Sequence, residues 1–539
     1  MALWPQDTEP DEEFPLYTRG NVGEVFPTAV TPLTRSLMTP RMERGWRRLW
    51  TRDLPILDPT DHEFRIIGFF GAHAYLNLSL IRRAADLAPG TSPEEIDHQF
   101  FAIGIELPSY EQPNEPGYEE RRKRVAAGVE SLLQNPPRAS VQADREMAFA
   151  IRRIANTNRA QLSDVALLTD MDNMADRAEM LFYDHILTSS MSSVAFGGLQ
   201  QGLRQALGER GDDLARRAVS GLGDVDSAGP ATMIAELAQL EGGDYRLRFN
   251  DFLTEYGFRG ANEWELAAPS WEIVPDVVRE QIASARGAAP KQHPADVRAE
   301  AVAEIERTLG GSWPELGFWL EAAKFFVPAR ERTKTNCIVL FNEARLDAHL
   351  LAQRLVERGL LARTDQVFML TFEELQRATL NDELPLDLAD RTTRFDDLRS
   401  RTAPLVVFGE IPPLEDWTPM AAAPPPPAAV EELRGVAGSP GEARGRVRVV
   451  LDPYRGTPPA VGEILVAPIT DPGWTPLFIP AVGVVVEVGG ELSHAVIVAR
   501  ELGIPAVVAA AGACSALHDG DLVEMDGSAG VVRVLERAG

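Results

Sequence analysis

Apolar side chains recur every three or four positions over most of the chain upstream of residue 420. This spacing lines one face of an α-helix with apolar residues, and it therefore predicts a large, mostly helical region. The predicted helices are 75–87, 119–133, 146–154, 162–173, 175–191, 199–207, 212–218, 231–240, 295–309, 313–327 and 343–358.

The pattern changes after residue 433, where short apolar runs alternate with glycine, proline and two short helical segments. Such alternation is typical of an α/β unit. Strands are predicted near 463–467, 482–488, 506–509 and 522–525, with helices near 472–478 and 494–502. The fold class expected from these patterns is multidomain, with α followed by α/β.

A segment rich in alanine and proline separates the two patterns. Residues 421–432 include four consecutive prolines, a composition that favours extended, semi-rigid backbone and excludes a helix or a central strand. The segment is either a passive linker or a jointed tether, and a tether is favoured if the domain beyond it moves. The predicted domains are 1–420, the linker 421–432, and 433–539.

Composition and charge narrow the class of protein. The 539 residues are 45% apolar and 25% charged, as in globular proteins with several domains. A net charge of −27 argues against nucleic acid and anionic membranes as partners. Cys337 and Cys514 are distant in sequence and indicate neither a disulfide framework nor a metal site. Without an apolar run that could span a bilayer or a secretory signal, we expect a cytoplasmic protein.

The strongest chemical signal is Gly489-Gly490 followed by Ser493-His494. A predicted strand leads into the two glycines and a predicted helix begins at His494. The start of a helix favours a bound phosphoryl group through its unpaired N–H groups and dipole, and glycines permit close approach. Neutral histidine is a nucleophile near pH 7, and Ser493 is a candidate N-cap of the helix. An isolated Ser-His pair would more often be structural.

The longer stretch around His494 resembles the active-site segment of the swivelling phosphohistidine domain of phosphoenolpyruvate (PEP)-utilising enzymes. Its pattern is GG-x-x-(S/T)-H-x-A-I-x-A-R-E-x-G-I-P-A-V, with Val496 in place of the usual alanine. The resemblance implies a β/β/α domain in which His494 accepts a phosphoryl group at one site and delivers it at another. It also implies that Ser493 orients the ring or donates a hydrogen bond to the phosphate, as an alternative to capping the helix. It also places Thr475 near the histidine, where Thr475 either contacts phosphate or packs at a helix start. The positions that match are Gly489, Gly490, Ser493, His494, Ile497, Ala499, Arg500, Glu501, Gly503, Ile504 and Pro505.

Three upstream blocks are similar to the substrate-binding domain of rifampicin phosphotransferases and related two-step phosphotransferases. They are 17–36, 257–263 and 329–334; in the second, Phe258 stands where histidine is usual. The third resembles an RE-x-x-K segment, and this resemblance implies that Arg330 and Lys334 face the transferred phosphate. A solvated basic face is the alternative interpretation.

Three further residues of these blocks are candidates for the substrate site. They are Glu24, Arg259 and Glu263. Glu24 or Glu263 is a candidate general base, although the sequence does not choose between them or exclude another residue. Arg259 and Glu263, four positions apart, are equally consistent with a structural ion pair.

The resemblance also implies a partner. Family members that phosphorylate their own histidine carry an ATP-grasp domain ahead of the substrate-binding domain, and PEP synthases carry a barrel after the swivelling domain. Neither is expected here, and no Gly-x-x-x-x-Gly-Lys-Ser/Thr loop is present. The arrangement resembles the histidine-bearing subunit of phenylphosphate synthase. This resemblance implies a separate ATP-grasp subunit that binds ATP and Mg²⁺. That subunit would phosphorylate (charge) His494 and convert ATP to AMP and phosphate.

The expected acceptor is a small aromatic hydroxyl compound, such as a phenol or a hydroxyaryl ketone, because an apolar helical pocket suits it. This would place the chain in the catabolism of aromatic compounds. Two alternatives stay open. One is a rifamycin-type antibiotic phosphotransferase that acts with a separate ATP-binding protein. The other is a phosphocarrier or regulatory protein without a small-molecule acceptor.

Overall fold

The computed structural model describes residues 4–60, 66–101, 107–220, 222, 229–288, 294–310, 313–419, 431–490 and 493–538. The predicted linker 421–432 lies outside the described residues except for its last two positions. Of these, Glu432 already begins a strand.

The region before residue 420 is mainly helical. Its helices are α1 (Val22–Val25), α2 (Pro32–Leu37), α3 (Thr39–Arg48), α4 (Leu78–Leu87), α5 (Pro93–Phe100), α6 (Tyr118–Gln134), α7 (Arg138–Asn158), α8 (Asp164–Leu207), α9 (Glu209–Ala218), α10 (Gly229–Leu237), α11 (Gly242–Tyr256), α12 (Pro275–Ser284), α13 (Pro294–Leu309), α14 (Trp313–Glu357), α15 (Phe372–Asn381) and α16 (Leu388–Arg399). Its strands are β1 (Leu16–Thr18), β2 (Ile67–Phe70), β3 (His73–Asn77), β4 (Arg401–Thr402), β5 (Val406–Phe408) and β6 (Thr418–Pro419).

Two long helices, α8 with 44 residues and α14 with 45, form the centre of this region. They pack against each other over most of their lengths, with α3 and α9 against α8 and α7 against α14. The sequence predicted three helices in place of α8 and two in place of α14, which was wrong. A helix with neighbours on several sides lacks one continuous polar face, so its periodicity is broken although the helix continues.

A small antiparallel sheet, in the order β2-β3-β1-β5, lies beside the helices. The prediction of a helix from residue 75 was wrong at its start, because β3 occupies His73–Asn77 and α4 begins at Leu78. The side chain of Asn77 accepts a hydrogen bond from the Leu80 N–H and so caps α4. The strand and the helix are therefore joined without a loop.

Buried Glu265, two residues after the block 257–263, connects this part of the chain to the block 17–36. Its carboxylate accepts hydrogen bonds from the Thr31 N–H (3.0 Å), the Thr31 hydroxyl (2.6 Å) and the Thr34 hydroxyl (2.7 Å). A buried carboxylate is stable only when such donors replace its lost water. This contact fixes the start of α2 against the loop that follows α11.

The region after residue 431 is a sheet domain. Its strands are β7 (Glu432–Arg434), β8 (Val436–Ser439), β9 (Glu442–Val449), β10 (Ile464–Ala467), β11 (Gly483–Val486), β12 (Ala506–Val508), β13 (Leu522–Asp526) and β14 (Val531–Glu536), and its helices are α17 (Thr475–Phe478), α18 (His494–Leu502) and α19 (Ala513–Ala516). The strand order is β7-β14-β13-β9-β10-β11-β12-β8, with β9 to β12 parallel and the other pairs antiparallel.

Alternate residues of the central strands pack into two separate cores. Leu465 and Val484 face α17 and α18, whereas Val466 and Val485 face β13 and β14. This alternation follows from the two-residue repeat of a strand with both faces buried. The domain therefore has three layers, and the predicted architecture is confirmed: a large helical region followed by a β/β/α domain.

Along the described parts of the chain, no helix combines the length and the apolar content that crossing a membrane requires.

Candidate active site

His494 is the first residue of α18 and follows the turn that contains Gly489 and Gly490. Ser493 occupies the N-cap position with extended backbone, but its hydroxyl makes no capping bond. That hydroxyl is buried and has no hydrogen-bond partner among the described residues. Ser493 Oγ is therefore a donor beside His494 that the helix itself does not use.

The two glycines shape the turn before the helix. A Cβ on Gly489 would lie 3.0 Å from Ser493 Oγ, which is closer than nearly all real Cβ contacts. The Gly490 carbonyl accepts a hydrogen bond from the Ser493 N–H at 3.0 Å. Both glycines thus help to place Ser493 and His494 at the helix start.

Two buried threonines contact the His494 ring. Thr470 Oγ1 lies 3.3 Å from Nδ1, and Thr475 Oγ1 lies 3.5 Å from Nε2. The edge of the ring packs against Phe478, with 6.1 Å between ring centroids. Thr475 was singled out from the sequence and does lie at the histidine. Thr470 was missed, although it lies just past the carboxyl end of β10, an edge where α/β sheets place ligand-binding residues.

The sheet domain is docked on the helical region through the loop that follows α11. The Tyr454 hydroxyl accepts a hydrogen bond from the Ala261 N–H (2.6 Å) and donates one to the Pro269 carbonyl (2.9 Å). The Asp471 carboxylate accepts a bond from the Asn262 N–H. Burial, followed by the negative charge of Glu263, raises the pKa of Asp471 to about 7. These contacts hold His494 against the helical region.

Gly473 offers a test of this docked arrangement. A Cβ there would clash with backbone atoms of Gly260 and Ala261, all in the other domain. We expect Gly473→Ala to disfavour docking by about 1–3 kcal/mol, as overpacking does elsewhere. Small-angle X-ray scattering should show a larger radius of gyration. Gly243→Ala, where an added Cβ meets open space, is the matched control. Unchanged scattering in a folded Gly473→Ala variant would contradict the docked arrangement.

A buried ionic cluster faces the docked histidine. Glu263 accepts hydrogen bonds from Arg259 Nη1 at 3.2 Å on both oxygens, and Lys334 Nζ lies 3.2 Å from Glu263 Oε1. Arg259 also donates to the Thr335 hydroxyl. Arg259 and Glu263 thus form the ion pair that their spacing allowed. The guanidinium Nε of Arg259 is buried without a partner in the described structure.

The charges of this cluster act on His494. Burial lowers the pKa of His494 well below its usual value, and the positive charges of Lys334 and Arg259 lower it further. The docked imidazole is therefore neutral. Two cations beside a neutral nucleophile would stabilise the negative charge of a phosphoryl group on that nucleophile.

Arg330 and Lys334 lie on α14, with side chains 24% and 18% exposed. The charges of both act on Glu24 of α1 and on His185 of α8. Glu331 follows Arg330 in the sequence, but its carboxylate is 4.0 Å from Arg330 Nε and the contact is loose. The structure therefore brings Arg330, Lys334 and Glu24 together around one site.

His185 belongs to the same site, although no sequence motif indicates it. Its ring packs against Trp264 (5.8 Å between centroids) and Phe182 (5.9 Å). Burial, and then the charges of Arg330 and Lys334, lower its pKa to about 3. An aromatic wall thus lies next to the two cations. Within the described ranges, no group of three or more His, Cys, Asp or Glu side chains is placed to hold a metal ion.

Known proteins are similar to this chain over all or about half of its length. An uncharacterised protein of Mycobacterium tuberculosis (strain ATCC 25618 / H37Rv) is 28% identical over 99% of this chain and 63% of its own length. The rifampicin phosphotransferase of Streptomyces sviceus is 29% identical over 56% of this chain and 36% of its own length. The prodigiosin synthesizing transferase PigC of Serratia marcescens is 30% identical over 53% of this chain and 33% of its own length. The chain thus spans between a third and two thirds of these relatives.

Two family descriptions match separate parts of the chain. Residues 205–331 match the fourth domain of rifampicin phosphotransferase, and this range includes Arg259, Glu263 and Arg330. Residues 459–530 match the mobile domain of PEP-utilising enzymes, and this range includes His494. The resemblance to both is confirmed: residues 459–530 are similar to the mobile domain of PEP-utilising enzymes, and residues 205–331 are similar to the fourth domain of rifampicin phosphotransferase.

Proposed function

We propose that this chain is the acceptor-binding and phosphocarrier component of an ATP-dependent, dikinase-type phosphotransferase. His494 takes a phosphoryl group from ATP held with Mg²⁺ by a separate ATP-grasp subunit, which leaves AMP and inorganic phosphate. The sheet domain then docks on the helical region and transfers the phosphoryl group to the hydroxyl of a small aromatic acceptor.

The observation that carries this proposal is the neutral imidazole of His494 facing Lys334 and Arg259 across the domain boundary. Phosphoryl transfer needs alignment and neutralisation of spreading negative charge more than covalent assistance. The two cations supply that neutralisation, and Arg330 extends the positive surface toward the acceptor. Ser493 Oγ, which is buried and does not bond to its helix, is a further donor at the point of transfer.

The aromatic acceptor is supported by the rings beside the cations. The half-buried ring of His185, packed on the buried rings of Trp264 and Phe182, forms an aromatic wall next to Arg330. Aromatic walls bind planar ligands by stacking, with a few polar groups that fix orientation. A phenol or a hydroxyaryl ketone could direct its hydroxyl at the phosphoryl group while its ring packs on this wall.

A rifamycin-type antibiotic is the second candidate acceptor. It is favoured by the match of residues 205–331 and by the rifampicin phosphotransferases that align with 56% of the chain. In that case the same histidine and cations would act, again with a separate ATP-binding protein.

A reconstitution experiment tests these proposals. The purified chain is incubated with an ATP-grasp protein from the same genome, Mg²⁺ and ATP, together with phenol, 4-hydroxyacetophenone or rifampicin. We expect AMP and an aryl phosphate, detected by mass spectrometry, only in the complete mixture. Rifampicin phosphate instead would support the second candidate. Charging of His494 without any product would indicate a phosphocarrier. If the chain were never phosphorylated, the proposed function would be wrong.

A further inference from the structure

Transfer to a hydroxyl requires a group that removes its proton, and four candidates lie around Lys334. They are Glu24, Glu263, Asp471 and His185. This inference rests on the proposed function, because it concerns the acceptor hydroxyl. The contacts of the four groups distinguish between them.

Glu263 is already engaged in the ionic cluster. Both of its oxygens accept bonds from Arg259, and one of them also pairs with Lys334. The side chain is only 2% exposed. Both oxygens of Glu263 are thus occupied by Arg259 and Lys334 and are not free to receive the proton of an acceptor hydroxyl.

Asp471 and His185 are also unsuited to the role of the base, each for a different reason. Asp471 uses one oxygen for the Gly473 N–H (2.9 Å) and the other for the Asn262 N–H. Its carboxylate thus holds the domains together. His185 has a pKa lowered to about 3 by burial and by its cationic neighbours, so it binds a proton too weakly to act as a base.

Glu24 differs from the other three. Its side chain is half-buried, and its carboxylate has no hydrogen bond or ion pair with the described residues, although both Arg330 and Lys334 act on it electrostatically. The neighbouring cation Arg19 does not compete for it. The Arg19 guanidinium is instead occupied by the carbonyls of Ala74 (3.2 Å), Phe26 (2.9 Å) and Pro27 (3.0 Å).

Those three carbonyl bonds also fix the backbone around α1. Because Arg19 is buried and holds both ends of the Arg19–Pro27 loop, the position of Glu24 does not depend on its own side-chain contacts. A carboxylate that is positioned by its backbone, beside two cations and free of strong pairing, is pre-organised to receive a proton.

We propose that Glu24 is the general base that takes the proton from the acceptor hydroxyl during delivery. The acceptor oxygen forms a bond to phosphorus while the P–N bond to His494 breaks, and the electron pair of that bond returns to the ring nitrogen. The released ring nitrogen gains a proton from solvent, and the Glu24 carboxyl returns its proton to solvent. The net reaction converts phosphohistidine and alcohol into histidine and phosphate ester.

The titration of Glu24 is consistent with this role. Burial raises its pKa to about 7, against the opposing charges of Arg330 and Lys334 and with a small contribution from Glu331. On β3, which also packs against α1, the titratable side chains His73 and Tyr75 face Arg19. Because a base must be unprotonated, the delivery rate should rise with pH through about 7 and then level off.

The test separates charging from delivery in the Glu24→Gln variant. The chain is first phosphorylated by the ATP-grasp protein, freed of ATP, and then mixed with phenol or with 4-nitrophenol, which ionises far more readily. We expect normal charging, delivery to phenol slowed by about a hundredfold or more, and loss of the rise with pH. Delivery to ionised 4-nitrophenol should be nearly unaffected, since it has no proton to lose.

Two further variants control for structural effects. Glu24→Asp should keep the pH dependence at a reduced rate, and Glu13→Gln, at an exposed glutamate of the same terminal region, should behave as the unmodified chain. If neither phenol accepts the group, loss of phosphate from His494 to water is measured instead, since water must also give up a proton. Equal rates for Glu24→Gln and the unmodified chain in both reactions would overturn this role but not the proposed function. Failure to charge the unmodified chain would overturn both.

Discussion

Replacing His494 with alanine is expected to reduce phosphorylation of the chain by at least about a thousandfold, because the ring nitrogen of His494 is the proposed nucleophile and alanine offers none. The neutral ring lies between Thr470 and Thr475, and the charges of Lys334 and Arg259 in the helical region act on it. Incubation with the ATP-grasp protein and ATP, followed by intact mass measurement at neutral pH, should show no phosphate adduct.

A surface histidine provides the matched control. His518 is 61% exposed, and its ring lies 3.7 Å from Asp521. His518→Ala should be phosphorylated as fast as the unmodified chain. An acid-labile phosphate that persists in the folded His494→Ala protein would assign the phosphoryl carrier to another residue.

The local part of the site could be predicted from sequence because it is encoded in consecutive residues. Short-range backbone geometry determines the turn at Gly489-Gly490, the helix start at His494 and the helix start at Thr475. The positions of glycine, serine and proline in the sequence indicate such turns and helix starts. The same holds for the positions of β10 to β13, each of which lies within or close to a predicted apolar run.

The contacts between the domains could not be predicted in this way. Tyr454 bonds to Ala261 and Pro269 from 193 and 185 residues away. Nothing in the local pattern of either segment indicates the other, because each bond uses a backbone N–H or C=O that every segment possesses. Likewise, His185 carries no motif, and its place beside Arg330 results from the packing of α8 on α14.

The length of α14 was missed for a related reason, and this bears on the site. Pro328 and the charged run after it interrupt the apolar pattern, yet the helix continues through them to Glu357. A proline inside a helix removes one backbone hydrogen bond, which tertiary packing must offset. The result is that Arg330 and Lys334 are carried on a rigid element that is held along its length by α7 and α8.

Replacing Lys334 with methionine is expected to leave charging of His494 intact and to slow delivery by about 10²–10³-fold, as expected when a charge that stabilises the transition state is lost. Lys334 acts on His494, Glu24 and Asp471, whereas Arg330 acts on Glu24 but is not among the groups that shift the pKa of His494. Arg330→Met should therefore slow delivery less than Lys334→Met. Single-turnover transfer from the phosphorylated chain measures both.

The variant should remain folded, because Glu263 keeps both of its bonds to Arg259 when Lys334 is removed. Lys324→Met is the matched control. Lys324 lies on the same helix, its side chain is 36% exposed, and it pairs with Glu321 at the surface, so this variant should deliver the phosphoryl group at the normal rate. If Lys334→Met slowed charging and delivery equally, Lys334 would act on the folded state of the histidine domain and not on the transferred group. A larger loss for Arg330→Met would instead move the phosphoryl position along α14, toward His185 and the aromatic wall.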